Sequence, residues 1–600
     1  MIAARYIVGM LRSRNASVES SVIDRLTDSA GWARLLLPHR RLRRVYELSH
    51  DLRGTNVFDS LLRALQVNYT VADRDLEWVP KEGAAIVVAN HPFGMLDGPL
   101  IGALLLRVRT DVKIIANRLL ASIPELSQHC IYVEAMDGRE KESVNARGLR
   151  EAIRHLSAGG LLVLFPAGEV AHWSLRSMSI SDSRWNDSAA RLSRMTGASV
   201  VPVHIHGTNS FSFHASGLIH PELRTLQLPR EFLNKRGQHI AIRVGPPVKA
   251  EKLRNASDPG TATSMLRWNA DLLSLTTAPP RHRVRLRFPR SVKPIGRGPD
   301  PSLLAQELLS LPPEARLQRQ GEYEVYALAA SQAPNVVREI GRLREISFRQ
   351  AGEGTGGSAD LDRFDDYYTY LVLWHRGLRE IVGGYRLGNV REILQRFSTS
   401  GLYTATLFRY DPSFFESIDG AIELGRSFVT PEYQKHFMPL FQLWKGIGAY
   451  LVRHPGSPVL FGAVSISNLY SPASREIILA FLRAQMAPQD LVSKVGSRPF
   501  RSVARCTLTD EHNFARMLTM SDVSERVSGW EADGKDLPTL VKHYLKLGGK
   551  TLAFSVDPKF SDVLDALIMV DLRTSDPALL SKYLGKTGAQ AFVPAPLVAS

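Results

Sequence analysis

The first half of this 600-residue chain alternates short apolar runs with longer segments that carry apolar residues at helical spacing. Short apolar runs favour buried strands, whereas apolar residues three or four positions apart favour amphipathic helices. One helix is expected to begin near Pro99, and another covers 151–156 and is closed by Gly159 and Gly160. The alternation predicts an α/β domain. The predicted strands of this half are 84–89, 112–116, 161–165 and 200–205.

A second pattern of strands and helices fills the other half of the chain. Apolar residues at helical spacing predict a helix over 336–349 and another over 440–453. Two short runs, 371–374 and 380–386, are expected to pair as a hairpin of a mixed sheet. Further strands are predicted at 323–328 and 421–429.

The two patterns together predict an α/β protein of two domains, because 600 residues exceed the size of one ordinary domain. A stretch rich in proline, arginine and glycine separates the domains and is typical of a linker. The predicted parts are a helical, basic, membrane-facing segment at 1–59, a first domain at 60–275, a linker at 276–301, a second domain at 302–490 and a C-terminal extension at 491–600.

The chain is strongly basic, with a formal net charge of +16. Basic proteins bind polyanions, and the sequence has no signature of a nucleic-acid-binding module. An anionic membrane surface or an acidic carrier protein is therefore the preferred partner. Two cysteines, Cys130 and Cys506, exclude a disulfide framework and fit a reducing compartment. The apolar residues 1–12 are interrupted by Arg5 and Arg12, which is atypical of a secretory signal.

The segment Asn90–Gly98 connects a predicted strand to a predicted helix and carries the first candidate chemistry. His91 suits a general base, because a histidine needs only a small pKa shift to accept a proton near neutral pH. Asp97 would orient the imidazole and stabilise its protonated form. Gly94 permits the tight backbone that such a site needs. The alternative is a helix entry in which the carboxylate is only a cap.

Four segments of the first half occur in an order that resembles the lysophospholipid acyltransferase family over about residues 60–275. The family's first motif separates His from Asp by four residues, whereas five residues separate His91 from Asp97. Its third motif is usually Phe-Pro-Glu-Gly-Thr-Arg, and Ala167 replaces the first Glu here. The four segments are Asn90–Gly98, Arg147–Arg150, Phe165–Glu169 and Val201–His204.

The resemblance implies that His91 takes the proton of an acceptor hydroxyl as it attacks a fatty acyl thioester. Backbone N–H groups around Gly168 are candidates for stabilising the oxyanion. Glu169 and Val170 stand where the family has Thr and Arg. The loss of this basic residue near the acceptor phosphate and the gain of Glu169 suggest a cationic amine head group instead; the alternative is a helix cap. The implied substrate-binding residues of this domain are Asn90, Gly94, Phe165, Pro166, Gly168 and Glu169.

Segments of the second half are similar to acyl-homoserine lactone synthases and to the hemolysin-like branch of the GNAT superfamily, over about residues 320–490. Both groups transfer an acyl chain from acyl carrier protein to the amine of an acceptor that resembles an amino acid. The C-terminal extension looks like the one that this branch carries, and a helical cover over the acyl-binding cleft is expected there. The segments are Arg342–Phe348, Gly352–Gly357, Gly383–Leu387 and Glu423–Val429.

This second resemblance implies a catalytic role for Glu423 as the base, with Arg426 beside it on the same strand. The alternative is a structural ion pair between these two residues at the end of a strand. Three arginines are candidates for binding a carboxylate or phosphate, and a glycine-containing segment is expected to open a helix that holds the phosphopantetheine phosphate. These residues are Arg344, Arg386, Arg426, Lys445, Gly446 and Gly448.

The order of the two domains resembles bifunctional ornithine-lipid synthases. The resemblance implies N-acylation of an amino acid with a 3-hydroxyacyl group, followed by O-acylation of the new hydroxyl. No metal or tightly bound cofactor is implied, and the donor is acyl-ACP or acyl-CoA. Ornithine is the leading acceptor, with lysine and glycine open. The expected partners are acyl carrier protein and an anionic membrane, and the expected location is the inner face of a bacterial cytoplasmic membrane.

Three alternatives stay open. A lysophospholipid acyltransferase with a non-catalytic GNAT-like domain would act on a lysophosphatidate without any amino acid. A membrane-lytic protein would lyse red cells, although the absence of an export signal argues against it. Nucleic-acid binding by the basic linker would show salt-sensitive retention on DNA.

Overall fold

The computed structural model describes residues 39–50, 56–134, 141–174, 179–219, 221–276, 292–497, 518–557, 560 and 563–592. Most of the predicted N-terminal segment, most of the predicted linker and Cys506 lie outside the described residues. The described chain divides into two compact units, the first up to residue 276 and the second from residue 292. The finer domain boundaries stay predictions.

The first unit is built on a seven-stranded sheet in the order β1-β9-β8-β2-β5-β3-β4. All neighbouring strands run parallel except β8 and β9. Strand β2 is central and all five of its residues are buried. The four strands predicted for this half are confirmed as β2, β3, β5 and β8. The strands are β1 (Asn68–Thr70), β2 (Ala85–Ala89), β3 (Val112–Asn117), β4 (Cys130–Val133), β5 (Leu161–Leu164), β8 (Ser199–Ile205) and β9 (His239–Val244), with a separate hairpin of β6 (His172–Ser174) and β7 (Ser179–Ser181).

Helices cover this sheet, and α4 begins in the turn that follows β2. The apolar residues of α4 are buried and pack into the same core as β2 and β5. The helices of the first unit are α1 (His39–His50), α2 (Val57–Ala64), α3 (Asp73–Leu76), α4 (Asp97–Leu105), α5 (Lys141–Ser157), α6 (Ser188–Thr196), α7 (Phe211–Ile219), α8 (Pro221–Asn234), α9 (Ala250–Arg254) and α10 (Pro259–Leu273).

The second unit is built on an eight-stranded mixed sheet in the order β10-β11-β12-β13-β15-β16-β19-β18. The predicted hairpin is confirmed as β12 and β13, which pair antiparallel. A short ladder of β14 and β17 lies apart from the sheet. The strands are β10 (Arg316–Gln320), β11 (Tyr323–Leu328), β12 (Thr369–His375), β13 (Glu380–Asn389), β14 (Arg409–Tyr410), β15 (Ile422–Val429), β16 (Val459–Ile466), β17 (Val495–Gly496), β18 (Lys550–Asp557) and β19 (Val563–Asp571).

The C-terminal extension completes this sheet instead of only covering it. Its strands β18 and β19 pair with each other, and β19 pairs along its length with β16. The expected helical cover is therefore only part of what the extension forms. The helices of the second unit are α11 (Pro301–Ser310), α12 (Pro334–Gln350), α13 (Val390–Phe397), α14 (Pro412–Ser417), α15 (Phe437–Arg453), α16 (Pro472–Ala484), α17 (Gln489–Val492), α18 (Met520–Trp530), α19 (Thr539–Lys546) and α20 (Pro577–Gln590).

The central strands β15 and β16 separate soon after they meet. They pair in parallel at only two positions of β15, Ile422 and Glu423. Both strands then continue, to Val429 and to Ile466, without pairing with each other. The separation leaves unpaired backbone and an open space in the middle of the sheet. No helix in the described part of the chain is long and apolar enough to cross a bilayer.

Gly462 allows the two strands to approach before they separate, because a Cβ atom there would collide with the carbonyl of Leu424. We expect Gly462→Ala to lower the free energy of unfolding of the second unit by about 1–3 kcal/mol, since backbone must move to accept the methyl group. Gly425→Ala is the matched control, because a Cβ atom at Gly425 meets no atom within 4 Å. Urea unfolding of both variants measures the difference, and equal midpoints would contradict the packing argument.

Candidate active sites

In the first unit His91 and Asp97 form a close pair despite their spacing of five residues. His91 Nδ1 lies 2.7 Å from Asp97 Oδ2. The Asp97 side chain is fully buried, whereas the His91 side chain keeps 18% exposure. Because Nδ1 faces the carboxylate, Nε2 is the nitrogen left to accept a proton from a substrate. The arrangement is that of a base with an orienting acid.

The Asp97 carboxylate is held by the turn that precedes it. Its Oδ2 accepts hydrogen bonds from the backbone N–H groups of Phe93 at 3.0 Å and Gly94 at 2.8 Å. Asp97 lies in the first turn of α4 and bonds to N–H groups outside the helix, so it does more than cap. Gly94 has a φ of +83°, and a Cβ atom there would lie 2.8 Å from Val170. This left-handed turn accommodates the additional residue of the motif.

The strand ends around His91 are tied together by side chains of the first motif. The ring of His91 stacks on Phe165 with centroids 4.7 Å apart. The backbone N–H of His91 donates to Asp182 Oδ1 at 3.1 Å. Asn90 donates to the carbonyl of Ile205 at 3.0 Å and accepts from its N–H at 2.7 Å, so it joins the ends of β2 and β8. Asn90 thus supports the site by backbone contacts.

The contacts of the third motif differ from those that its predicted roles require. The N–H of Gly168 is already bonded to the carbonyl of Phe165 at 3.0 Å, and this N–H is therefore not free to bind an oxyanion. The carbonyl of Pro166 accepts from Asn186. Glu169 accepts from Arg224 Nη2 at 2.7 Å and from the Ser183 hydroxyl. Because Arg224 balances its charge, Glu169 is not the open carboxylate that a cationic head group requires.

Two further histidines of this unit, His204 and His206, have structural surroundings. Burial lowers the pKa of His204 to about 3 and the pKa of His206 to about 4. Both rings are therefore neutral at physiological pH, and they contact each other edge to face at 4.8 Å. This supports the prediction that neither is the catalytic histidine.

In the second unit a cavity of about 710 Å³ occupies the space where β15 and β16 separate. The cavity is lined by Leu424–Val429 of β15, by Ala463–Ser465 of β16 and by the beginning of α15. Apolar side chains such as Phe441 form much of one side, and charged residues such as Arg426 form another. A space of this size and mixed character fits an acyl chain together with a polar acceptor.

Two of the arginines predicted to bind substrate are satisfied by carboxylates of the same unit. Arg344 and Arg386 are each 1% exposed at the side chain. Arg344 pairs with Asp360 at 2.8 Å and with Asp365 at 2.9 Å, and Arg386 pairs with Asp365 at 3.0 Å. Burial alone raises the pKa of Asp365, but the two arginines outweigh it and lower the pKa to about 2. The predicted binding role does not match this buried network.

Arg426 belongs to the same network and also lines the cavity. Its guanidinium pairs with Asp360 at 3.2 Å and Asp362 at 3.3 Å, and Nη1 donates to the Tyr403 hydroxyl at 2.9 Å. The residue has a φ of +50°, which is uncommon for an arginine in a strand. It also lies over the Phe560 ring at 4.4 Å. Of the three predicted arginines, this one faces the cavity.

Glu423 is not among the residues that line the cavity, and its predicted role as the base stays a prediction. It is 1% exposed and accepts hydrogen bonds from the N–H groups of Thr404 at 2.6 Å and Tyr403 at 3.2 Å. The Tyr368 hydroxyl donates to it as well. The alternative ion pair with Arg426 does not form among the described residues, because Arg426 pairs with aspartates instead. Glu423 is a buried anchor for the 403–404 backbone.

The segment predicted to open a helix lies inside one. Lys445, Gly446 and Gly448 are in the middle of α15, which begins at Phe437. Their N–H groups are therefore within the helical hydrogen-bond pattern and cannot hold a phosphate. Gly446 and Gly448 are buried packing positions, and Lys445 Nζ lies 3.2 Å from Gln320. The free N–H groups of this helix are those of its first turn, which borders the cavity.

Three acids at the cavity were missed by the sequence reasoning: Glu353, Asp557 and Asp565. Burial, reinforced by the negative charges of Asp557 and Glu353, raises the pKa of Asp565 to about 8. Burial raises the pKa of Glu353 to about 7. The sequence offers one indication of this site, because Asp565 is a lone acid in the apolar run 563–570. The residues near Asp565 in space lie far from it in sequence.

Comparisons with protein families agree with the two units. A family model described as an acyltransferase matches residues 29–274. A model described as an acetyltransferase (GNAT) domain matches residues 343–445. The chain therefore carries an acyltransferase domain followed by a GNAT domain, and it is an enzyme that transfers acyl groups.

Curated relatives include both N- and O-acyltransferases. A glycine N(alpha)-acyltransferase of Bacteroides thetaiotaomicron is 32% identical over 278 residues, which cover 42% of this chain and 79% of the relative. A glycine N(alpha)-acyltransferase of Phocaeicola vulgatus is 38% identical over 275 residues, covering 42% and 82%. A lyso-glycine lipid O-acyltransferase of Phocaeicola vulgatus is 25% identical over 203 residues, covering 32% and 69%. The chain belongs to the N-acyltransferase family of the first two relatives.

The surroundings of Glu423 predict that its replacement affects folding before chemistry. In Glu423→Gln the side-chain amide would face N–H donors, and we expect a loss of about 1–3 kcal/mol in the free energy of unfolding. Denaturant unfolding measures this loss, and Glu416→Gln on the surface of α14 is the control. A variant as stable as the wild type but inactive in N-acylation would restore Glu423 as the base.

Proposed function

We propose that this protein makes an amino-acid lipid by two acyl transfers on one chain. The second unit transfers a 3-hydroxyacyl group from a thioester donor to the amine of an α-amino acid. The first unit then transfers a second acyl group to the new 3-hydroxyl. The product carries no phosphorus. The observation that carries the proposal is that one chain contains two different acyltransferase domains.

The relatives support the order of the two steps. One relative is named for N-acylation of glycine and another for O-acylation of a lyso-glycine lipid, so together they describe successive reactions. A chain that resembles both fits an enzyme in which the two activities are fused. Ornithine, lysine and glycine are the acceptors to compare, with ornithine as the leading candidate from the resemblance of the domain order.

The geometry of the His91–Asp97 pair supports the proposed O-acyl transfer. Nε2 of His91 accepts the proton of the 3-hydroxyl as its oxygen attacks the thioester carbonyl. The carboxylate of Asp97, 2.7 Å from Nδ1, stabilises the imidazolium that forms. His91 then gives the proton to the departing thiolate. This step uses no group beyond the histidine, the aspartate and the thioester.

The N-acyl transfer is assigned to the cavity between β15 and β16. The separated strands offer unpaired backbone to the extended arm of a thioester donor, which is acyl-ACP or acyl-CoA. Lys435, His436 and the first turn of α15 line one part of the cavity and suit the donor phosphate. The catalytic arginine of the prediction, Arg426, faces the same space.

We assign the basic surface to two partners, acyl carrier protein and the inner face of a bacterial cytoplasmic membrane. The net charge of +16 attracts both, since each is anionic. Helix α1 exposes Arg41, Arg43 and Arg44 together with Leu48. Helix α7 of the same unit exposes Phe211 to 88%. Exposed cationic and apolar groups of this kind support a peripheral position at the interface.

The test is lipid profiling of a bacterium that makes no aminolipid and expresses the wild type or His91→Ala. The wild type is expected to add an amine-positive, phosphate-free lipid with two acyl chains. His91→Ala is expected to accumulate the form with one acyl chain, with at least about a 100-fold loss of O-acylation, because it lacks the general base. Mass spectrometry of the extracts gives both products and the head-group mass. His239→Ala, an exposed histidine of β9, is the control.

A variant that fills the cavity tests the second site. Gly425 borders the cavity and no atom lies within 4 Å of a Cβ built there, so we expect the larger side chain of Gly425→Leu to narrow the cavity. This variant is expected to make neither lipid, but to O-acylate a supplied mono-acylated lipid at the wild-type rate. A host in which only phospholipid acyl chains change would favour the lysophospholipid acyltransferase. Lysis of red cells by the lipid-free protein would favour a membrane-lytic protein.

A further inference from the structure

The acids of the cavity come from three separate parts of the second unit. Asp565 lies on β19, directly opposite Ser465 of β16 in the strand register. Asp557 ends β18, and Glu353 follows α12. Asp565 and Glu353 both lie near the side chain of Ser465. The C-terminal extension, whose role is otherwise structural, thus places two carboxylates in the cavity.

Asp565 is a buried acid without a cationic partner. It is 4% exposed, and among the residues that the structure describes it forms no ion pair with lysine, arginine or histidine. Glu353, which is partly buried, has no such partner in the described chain either. Buried charges in proteins are normally paired, because an isolated charge costs several kcal/mol. Asp360 and Asp365 of this unit follow that rule with Arg344, whereas Glu423 is met by N–H and hydroxyl donors instead.

We propose that Asp565, together with Glu353 and Asp557, binds the amine of the acceptor amino acid and that Asp565 takes its proton. The inference rests on the proposed N-acyl transfer and adds the residues that perform it. In this proposal the substrate ammonium group is the cation that pairs with Asp565 and Glu353, which form no ion pair among the described residues. This assigns to the C-terminal extension a direct part in the reaction.

The reaction balances with these groups alone. The ammonium group gives one proton to Asp565, which passes it to solvent, and the neutral nitrogen attacks the thioester carbonyl. The C–N bond forms and the C–S bond breaks. The second proton leaves the nitrogen and goes to the thiolate. The products are the amide, the free thiol of the donor and one proton.

The surroundings of Asp565 support this assignment. The groups that face it are Glu353 from the loop after α12, Asp557 from β18, Arg426 from β15, and Ser465 from β16. Burial and the two negative neighbours raise its pKa to about 8, so it exchanges a proton near neutral pH. Arg426 acts in the opposite direction. Arg426 forms its ion pairs with Asp360 and Asp362 and not with Asp565.

The experiment measures N-acylation of glycine, ornithine and lysine by the purified full chain across pH 6–10. In the wild type kcat/KM should rise with pH as Asp565 loses its proton. Asp565→Asn keeps the shape of the side chain and should lower kcat/KM by about 100-fold or more at pH 7.5, with partial recovery at high pH as the amine deprotonates in solution. Glu353→Gln should shift the rise of kcat/KM with pH to lower pH, because one negative charge that raises the pKa of Asp565 is removed.

Controls separate a chemical role from a structural one. Asp571→Asn, on the same strand but outside the cavity, should keep the wild-type rate and pH profile. Asp565→Asn should retain the wild-type unfolding midpoint and the O-acylation of a supplied mono-acylated lipid. If Asp565→Asn kept the wild-type pH profile, or if the rise of kcat/KM in Glu353→Gln occurred at the wild-type pH, this inference would be overturned while the proposed function would stand. If the wild type acylates none of the three amines, the proposed function fails and this inference fails with it.

Discussion

A carboxylate that is buried must be met by donors or cations, and this requirement organises both units. In the first unit Asp97 is fully buried and is met by two backbone N–H groups and His91. In the second unit Glu423 is met by two N–H groups and a tyrosine hydroxyl. Each acid fixes a loop that borders a candidate site, because breaking any of these hydrogen bonds to the buried carboxylate would cost free energy.

The parts of the structure that the sequence predicted are those determined by local pattern. The buried run ending at Ala89 and the pair of runs that form β12 and β13 follow from the spacing of apolar residues. The His91–Asp97 pair was also predictable, because both residues lie in one turn. That the pair forms in spite of the longer spacing was not predictable, since this depends on the φ of Gly94 and on packing against Val170.

The errors concern contacts between residues that are distant in sequence. Glu423 lies on a strand beside Arg426, yet the strand geometry directs the two side chains into different environments. The partners of Arg344 come from a loop, and local spacing gives no indication that they satisfy it. Asp565 meets Glu353 only because β19 pairs with β16, more than 200 residues after the first of these acids. Such contacts follow from sheet order, which one sequence without homologues does not reveal.

The two sites would then use different bases because their acceptors differ. In the proposed reaction a hydroxyl enters the first site neutral and holds its proton tightly, so it needs a base whose ring is held in place by a neighbouring acid, as the ring of His91 is by Asp97. The proposed amine acceptor would enter the second site as a cation and would have to be both attracted and deprotonated. A histidine would serve poorly there, since its protonated form repels the ammonium group. A carboxylate attracts the cation, and a raised pKa lets it hold the proton. Under the proposed function the fused chain would thus need two separate sites, since neither electrostatic environment suits the other acceptor.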